Sequence, residues 1–351
     1  VSESRQPRGT GRVRAARITD LAVLGELSRL CQTDDSDACS LGLPVSGPPI
    51  GVFSLFRLPL AAFRPHDILY VYEASGRVSG LVRVERENWR DDWAIVELDA
   101  LPGSGAGDVR FRLVQQALRE GQKRGAARFH VACTDRHGNV ELFMQAGFAR
   151  YGEEIVLYRQ PSEPLPEPWT DARALEAGIR PARPTDAVAL MSLYHAVTPM
   201  PVQRIEGFRI PDWERQGNQW RVPRSSLAPI LRFADIEGYV LESPTEPALD
   251  GLVQLGVARE DQPHYLRVLA RPGADAAALV EYGLGVIAAR VGRGGNGSDR
   301  RGVIAPVRTY ESPLDRRLEE AAFEAVATVT LLVRETLIRV AEPVLVPAGV
   351  R

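Results

Sequence analysis

Two mixed α/β domains in tandem are predicted from three observations. The first is a repeat: "RVRAARITDLAVL" at 12–24 returns as "GIRPARPTDAVAL" at 178–190, matching Arg14, Arg17, Thr19, Asp20 and Leu24 with Arg180, Arg183, Thr185, Asp186 and Leu190. The second is that three further blocks follow in the same order: "SGLVRVERE" (79–87) with "DGLVQLGVARE" (250–260), "VELDALPG" (96–103) with "LRVLARPG" (266–273), and "FMQAGFARYGEEIVLYR" (143–159) with "LEEAAFEAVATVTLLVR" (318–334). Blocks that keep their order at offsets between 166 and 175 residues mark two copies of one fold. The third is the length of 351 residues, which suits two domains of ordinary size.

Each copy opens with a short strand running into a helix. Thr19 and Thr185 stand where an N-cap is expected, and Asp20 and Asp186 put negative charge on the first turn. Leu24, Leu27, Leu30 and Cys31 then recur at helical spacing, as do Leu190, Leu193, Tyr194 and Val197. In the first half the pattern continues as an irregular insert to about residue 66, strands at 68–74, 78–86 and 93–100, a helix at 107–124, a strand at 127–133, a helix at 139–146 and a strand at 153–159. That order is an antiparallel meander followed by a βαβ unit, hence a mixed sheet of the α+β kind. "PSEPLPEPWTDARALEAG" (161–178), with four prolines, reads as an extended spacer between a first domain, 1–160, and a second, 179–351.

Composition narrows the function. An apolar fraction of 44% and a charged fraction of 25% belong to globular proteins. A net charge of −2 gives no reason to expect nucleic acid as a partner. Cys31, Cys39 and Cys133 make neither a disulfide framework nor a Cys-x-x-Cys zinc site, so a reducing cytoplasm is expected and no metal. "VSESRQPRGTGRVRAAR" has no apolar core, and no run approaches the roughly 20 apolar residues of a membrane span, so neither export nor a membrane partner is expected. Lys123 is the only lysine, and nearly all basic charge is arginine.

Over residues 93–159 a strand ending in "ALPG" leads to a glycine-rich loop and helix, then to the strand "ARFHVACTD", then to "HGNVELFMQAGF". This order resembles the GNAT superfamily of acyl-CoA-dependent N-acyltransferases, and the tandem pair resembles its bacterial two-domain members. The resemblance implies two GNAT-like domains, acetyl-CoA as cosubstrate, and a small-molecule amine or a peptide as acceptor.

The mechanism implied by that family makes three demands. A loop at a helix N-terminus must offer backbone N–H groups to the pyrophosphate. The family's six-residue loop falls on Gly105, Ala106, Gly107, Asp108, Val109 and Arg110, next to Leu101 of "ALPG", but Asp108 and Arg110 stand where small residues are usual. Either the loop holds the cofactor and Asp108 turns away, or it is a plain strand-to-helix connection with Asp108 as its cap. The second demand is a general base, for which Glu97 and Asp99, two apart on one strand face, are the candidates; a solvated or salt-bridged pair is the alternative. Their counterparts are Arg267 and Leu269, so the first half alone keeps a base. The third is an acid for the leaving thiolate. The family's tyrosine position holds Phe143 here and Leu318 in the second half, which leaves Tyr151 as substitute acid or as core packing. Asn139 matches the family's Asn, to reach the cofactor or to cap its own helix.

The corresponding loop of the second half, "PGADAAAL" (272–279), keeps only Gly273, so acyl-CoA is not expected there. "GRGGNGSDRRG" (292–302) follows a helix and meets the wrong end of its dipole for an anion. Cys133, Asp135 and His137 lie on a turn with no third orienting group, and His130 alternates with Phe129 and Val131 as a strand-face residue. The inserts at 32–66 and 198–229 are the places for an acceptor pocket. Trp213 and Trp220 would line it, form a homodimer contact, or pin the loop to the core, and the apolar stretch 44–63 would face a partner or pack on the sheet. Two functions stay open: an N-acyltransferase active in its first half, and a catalytically inactive descendant that binds a ligand or oligomerises.

Overall fold

A computed structural model describes residues 11–33, 41–44, 67–86, 90–103, 105–217, 220, 222–227, 229–259, 262–293, 301–311 and 313–336. Cys39, the side chain of Cys31, the stretch 45–63 and the glycine-rich 294–300 lie outside the described residues.

In the first half, β1 (Arg12–Ala15) enters α1 (Leu21–Thr33) through a 3-10 turn, and β2 (Asp67–Ala74), β3 (Arg77–Arg86) and β4 (Asp92–Ala100) form the antiparallel meander. From β4 the chain crosses through α2 (Ala106–Lys123) to the parallel β5 (Arg128–Cys133), then runs through α3 (Asn139–Gln145) into β6 (Ala149–Arg159). The second half repeats this with β7 (Ile179–Pro181), α5 (Ala187–Val197), β8 (Phe233–Glu242), β9 (Leu249–Ala258), β10 (His264–Ala270), α8 (Ala276–Arg293), β11 (Val303–Arg308), α9 (Leu314–Glu320) and β12 (Phe323–Glu335). Two short helices, α6 (Met200–Glu206) and α7 (Ile210–Trp213), fill its insert. The proline-rich segment is less of a spacer than its composition predicts. It ends in α4 (Asp171–Glu176), capped by Thr170, and Trp169 donates to Glu281 of α8 at 3.0 Å while packing edge-on against Tyr282.

The opening repeat is a structural device, and its key residue is the aspartate. Thr19 and Thr185 are exposed and cap nothing; Asp20 and Asp186 are buried at the end of a 3-10 turn. Asp20 accepts the Arg17 backbone N–H at 2.7 Å and both terminal nitrogens of Arg14 at 2.6 and 2.9 Å, while Arg14 Nε reaches Glu73 of β2 at 2.5 Å. The second copy repeats every bond: Asp186 to the Arg183 N–H at 2.8 Å and to Arg180 at 2.8 and 2.9 Å, with Arg180 Nε on Glu242 at 2.6 Å. A bidentate arginine thus ties the edge strand, the turn and the neighbouring strand at one point. Beyond the turn, Leu24, Leu27, Leu190, Leu193 and Tyr194 are buried as their spacing predicts.

All twelve strands among the described residues belong to one sheet, in the order β1-β2-β3-β4-β5-β12-β6-β11-β10-β9-β8-β7. The last strand of each half therefore lies in the other half's section: β12 pairs with β5 and β6, and β6 pairs with β11 and β12. This exchange makes β6 longer than the 153–159 that its sequence suggests, because Ala149–Gly152 find partners on β12. Each face carries its own core. Leu113, Val114 and Ala117 of α2 pack on Trp93, Ile95, Leu98 and Phe129, while Leu24 and Leu27 of α1 pack on Val71 and Leu81.

Two outcomes follow from this architecture. Asp186→Asn is expected to lower unfolding free energy at neutral pH by about 2 kcal/mol, since the Arg180 pair is mostly buried. Burial pushes the Asp186 carboxyl up, but Arg180 and the Arg183 amide outweigh it, so its folded pKa lies below the ordinary 3.8. The contribution is therefore complete above that value and lost as pH falls through the folded pKa, and urea melts should show the variant and the parent converging in strong acid. Separately, residues 1–160 expressed alone would leave both β5 and β6 without β12 and should not give a monomeric folded protein. Co-expression with 161–351 should restore it, as read by size exclusion and circular dichroism.

Candidate functional site

The site begins with a defect in β4. Ile95 pairs with Val84 and Glu97 with Arg83, leaving Val96 as the extra residue of a β-bulge. Strands β4 and β5 are paired only from Asp92–Arg128 to Ile95–Val131 and then part. The bulge also shifts the side-chain alternation. Trp93, Ile95 and Leu98 face α2, whereas Ala94 and Val96 pack with Ile230 on the opposite face, and Glu97 and Asp99 share that opposite face. Glu97 is held by Arg83 Nε at 3.2 Å; Asp99 is buried. The two carboxylates do share one face, and the Glu97 side chain is salt-bridged, which was the alternative reading of the pair.

The opening of the gap leads to the N-terminus of α2. Gly105 is the N-cap and brings no side chain to the first turn, and the Ala106 N–H turns back to the Gly103 carbonyl at 3.1 Å. The next amides of the first turn have no intrahelical acceptor. A Cβ on Gly105 or Gly107 would meet no atom within 4 Å. Asp108 is not the cap: its carboxylate turns along the helix to Arg112 Nε at 2.8 Å, which offsets its charge. Leu101 is exposed beside the loop and Val109 packs against Ala100 and Ala106. Arg110 is buried and donates to the Asn139 side-chain oxygen, so these two residues meet each other beneath the loop. Asn139 accepts that bond as the first residue of α3 and does not cap the helix with its side chain.

The second half has the same frame with its openings filled. Strands β10 and β11 pair only at His264–Val303 and Tyr265–Ile304 before parting. Into that gap projects Arg267, the counterpart of Glu97, forming a bidentate pair with Glu311 at 2.7 and 2.5 Å and donating to the Val268 carbonyl at 2.8 Å. Glu311 also accepts the Arg308 backbone N–H at 2.9 Å. At the start of α8 the Asp275 carboxylate accepts the Ala278 N–H at 3.0 Å, so an anion already occupies this helix terminus. The sequence marks the poor loop but not the ion pair, whose partners are 44 residues apart; the only local signal is Arg267, a charge inside an apolar strand, since Glu311 lies in the turn after β11.

Tyr151 lies on β6, where it lines a cavity on the Val96 side of the sheet together with His130, Arg308 and Ile230. Its ring meets His130 edge-on at 6.1 Å, and burial pushes its phenol up to about 12. Phe143 is fully buried against Phe148 and supplies no proton. Cys133 is a buried free thiol that burial pushes up to about 12, and no group of His, Cys, Asp or Glu among the described residues is placed to hold a metal. Trp213 and Trp220 are completely buried in one cluster with Tyr194 and Phe208, and so anchor the insert to the core. Among the described residues no helix is long and apolar enough to cross a membrane.

No protein-family model matches the chain, and no curated protein matches it in sequence. Solved structures do. A tandem GNAT protein from the clavulanic acid biosynthesis pathway, solved without acetyl-CoA, is similar with a TM-score of 0.54 and 14% identity over 93% of this chain and 98% of that one. A GCN5-related N-acetyltransferase from Sphaerobacter thermophilus is similar with a TM-score of 0.56 and 16% identity over 93% of this chain and 95% of that one. The chain thus has the fold of tandem GNAT proteins, as expected from its repeat and the order of its elements over 93–159.

The filled gap of the second half should be a stability element. Glu311→Gln leaves Arg267 buried without its counter-ion and is expected to cost about 3 kcal/mol, measured by chemical denaturation. Glu97→Gln, at a partly buried pair, should cost less, about 1–2 kcal/mol.

Proposed function

We propose that the chain is an acyl-CoA-dependent N-acyltransferase with one donor site, in its first half. The observation that carries this is the asymmetry between two equivalent frames. Among the described residues no ion pair spans the gap between β4 and β5 and no side chain caps α2, whereas Arg267, Glu311 and Asp275 fill their counterparts.

In this reading the pyrophosphate rests on the first-turn amides after Gly105, where the helix dipole favours an anion. Arg112 keeps Asp108 from opposing it. The amide-bearing arm of the donor runs along β4 beyond the bulge, where backbone groups facing the gap have lost β5 as a partner. The thioester then lies beside Val96 and Glu97. Glu97, positioned by Arg83, takes a proton from the acceptor's nitrogen as it attacks the thioester carbonyl carbon. The C–N bond forms, the C–S bond breaks, and the departing sulfur takes a proton from Tyr151, which burial keeps protonated at neutral pH. Val109 and Leu101 flank the donor, while Arg110 and Asn139 fix α2 against α3 beneath it. The absence of a phenol at Phe143 favours the second reading, a fold retained for binding alone.

Calorimetric titration with acetyl-CoA tests the proposal. One saturable site per chain is expected, lost in Gly107→Asp, whose added side chain meets open space and should leave thermal stability unchanged. No saturation up to millimolar ligand would overturn the reading, and two sites per chain would overturn its asymmetry. Glu97→Gln should keep the donor site while lowering acyl transfer to an amine by about 10²–10⁴-fold, followed as free thiol release. Binding without any transfer would favour the non-catalytic alternative.

A further inference from the structure

The cavity between the halves holds polar groups that the mechanism above does not use. It lies on the face of β4 that carries Val96 and Glu97 and is partly open to solvent. Its walls are apolar at Val96, Ile230 and Leu331. Tyr151, Arg224, Ser225 and Ser226 also line it, and two further polar side chains, His130 and Arg308, complete the wall. His130 is almost wholly buried on β5, and among the described residues neither ring nitrogen has a hydrogen-bond partner; the Asp92 carboxylate is 4.0 Å away. Arg308 reaches in from β11 of the other half. Its Nε is 3.1 Å from Glu154, and one terminal nitrogen donates to Glu206 at 2.8 Å and to the Arg224 carbonyl at 2.6 Å. The other terminal nitrogen makes no hydrogen bond among the described residues, and the guanidinium lies 5.8 Å from the centre of the Tyr151 ring.

Buried donors left unpaired are costly, so their persistence calls for a ligand that completes them. The field selects its charge. Burial holds His130 neutral, and the charged groups that act on its ring most strongly are the guanidiniums of Arg224, Arg90, Arg128 and Arg308. A neutral imidazole offers one N–H and one acceptor nitrogen, and the free guanidinium nitrogen offers two N–H groups, so donors outnumber acceptors three to one beside guanidiniums that Asp92, Glu154 and Glu206 partly balance. That combination suits a planar, acceptor-only anion with two oxygens. We propose that this cavity binds the carboxylate of a small ligand, held by His130 and Arg308. Resting on the acyl-transfer reading, that ligand is the acceptor, an amino acid-like amine whose nitrogen lies toward Glu97, one residue along the strand from the cavity wall.

The test has two arms, both on the full chain. In the first, acetate is titrated into protein labelled with ¹⁵N at histidine. A saturable shift of one imidazole is expected, absent in His130→Leu and in Ala132→Leu, which fills the cavity without removing a polar group. No shift beyond that given by chloride at equal ionic strength overturns the carboxylate site. In the second arm, thiol release from acetyl-CoA is compared between amino acids and their carboxamides. At least about tenfold higher kcat/KM for the acids is expected, falling to near equality in His130→Leu while acetyl-CoA affinity is kept. Equal rates for acids and amides overturn the acceptor assignment. Acetate binding with no thiol release from any amine supports the carboxylate site and overturns the acceptor role together with the acyl-transfer reading, whereas thiol release without acetate binding overturns the cavity alone.

Discussion

The exchange of β6 and β12 at the centre of the sheet is the constraint from which the rest of the molecule is built. Each half supplies the strand that closes the other's βαβ unit, so β5 has no second neighbour until the whole chain has been used. The exchange also joins two frames in one sheet and brings Arg308, Glu154 and Glu206, which come from distant points of the sequence, into one buried network. An arginine with its charge compensated from two sides can be buried where a single ion pair would lose too much hydration.

Duplication supplied two equivalent frames, and charge placement made them different. Both frames contain a strand that parts from its parallel neighbour, and both present a helix N-terminus at the mouth of the gap. Backbone groups in such a gap need partners. In the second half the chain provides them itself, through Arg267 on the Val268 carbonyl, Glu311 on the Arg308 amide and Asp275 on the Ala278 amide. In the first half Asp108 is drawn to Arg112 and Glu97 to Arg83. The same scaffold thus reads as a self-satisfied support on one side and an opening on the other.

Much of the fold was legible in the sequence because repetition and periodicity are local signals. The strand–turn–helix of "RVRAARITD" appears twice because Arg14 and Asp20, and Arg180 and Asp186, must be six residues apart to meet across the turn. The role of Asp108 was not legible, since a carboxylate in a first turn can cap the helix or pair along it, and only the position of Arg112 decides. Nor was the pairing of Arg110 with Asn139, whose elements are brought together by packing.

The sequence by itself determined two copies of a mixed α/β fold, the order of their elements, the weakness of the second loop, and the candidate carboxylates Glu97 and Asp99 on one strand face. Tertiary structure alone decided which strand closes which half, that Val96 is a bulge parting β4 from β5, that Arg267 and Glu311 fill the second gap, and that His130 and Arg308 face one cavity. The physical reason is range. Alternation, capping chemistry and repeats act over a few residues and leave a pattern in the chain, whereas strand exchange and buried ion pairs join residues that nothing in the one-dimensional order marks as neighbours.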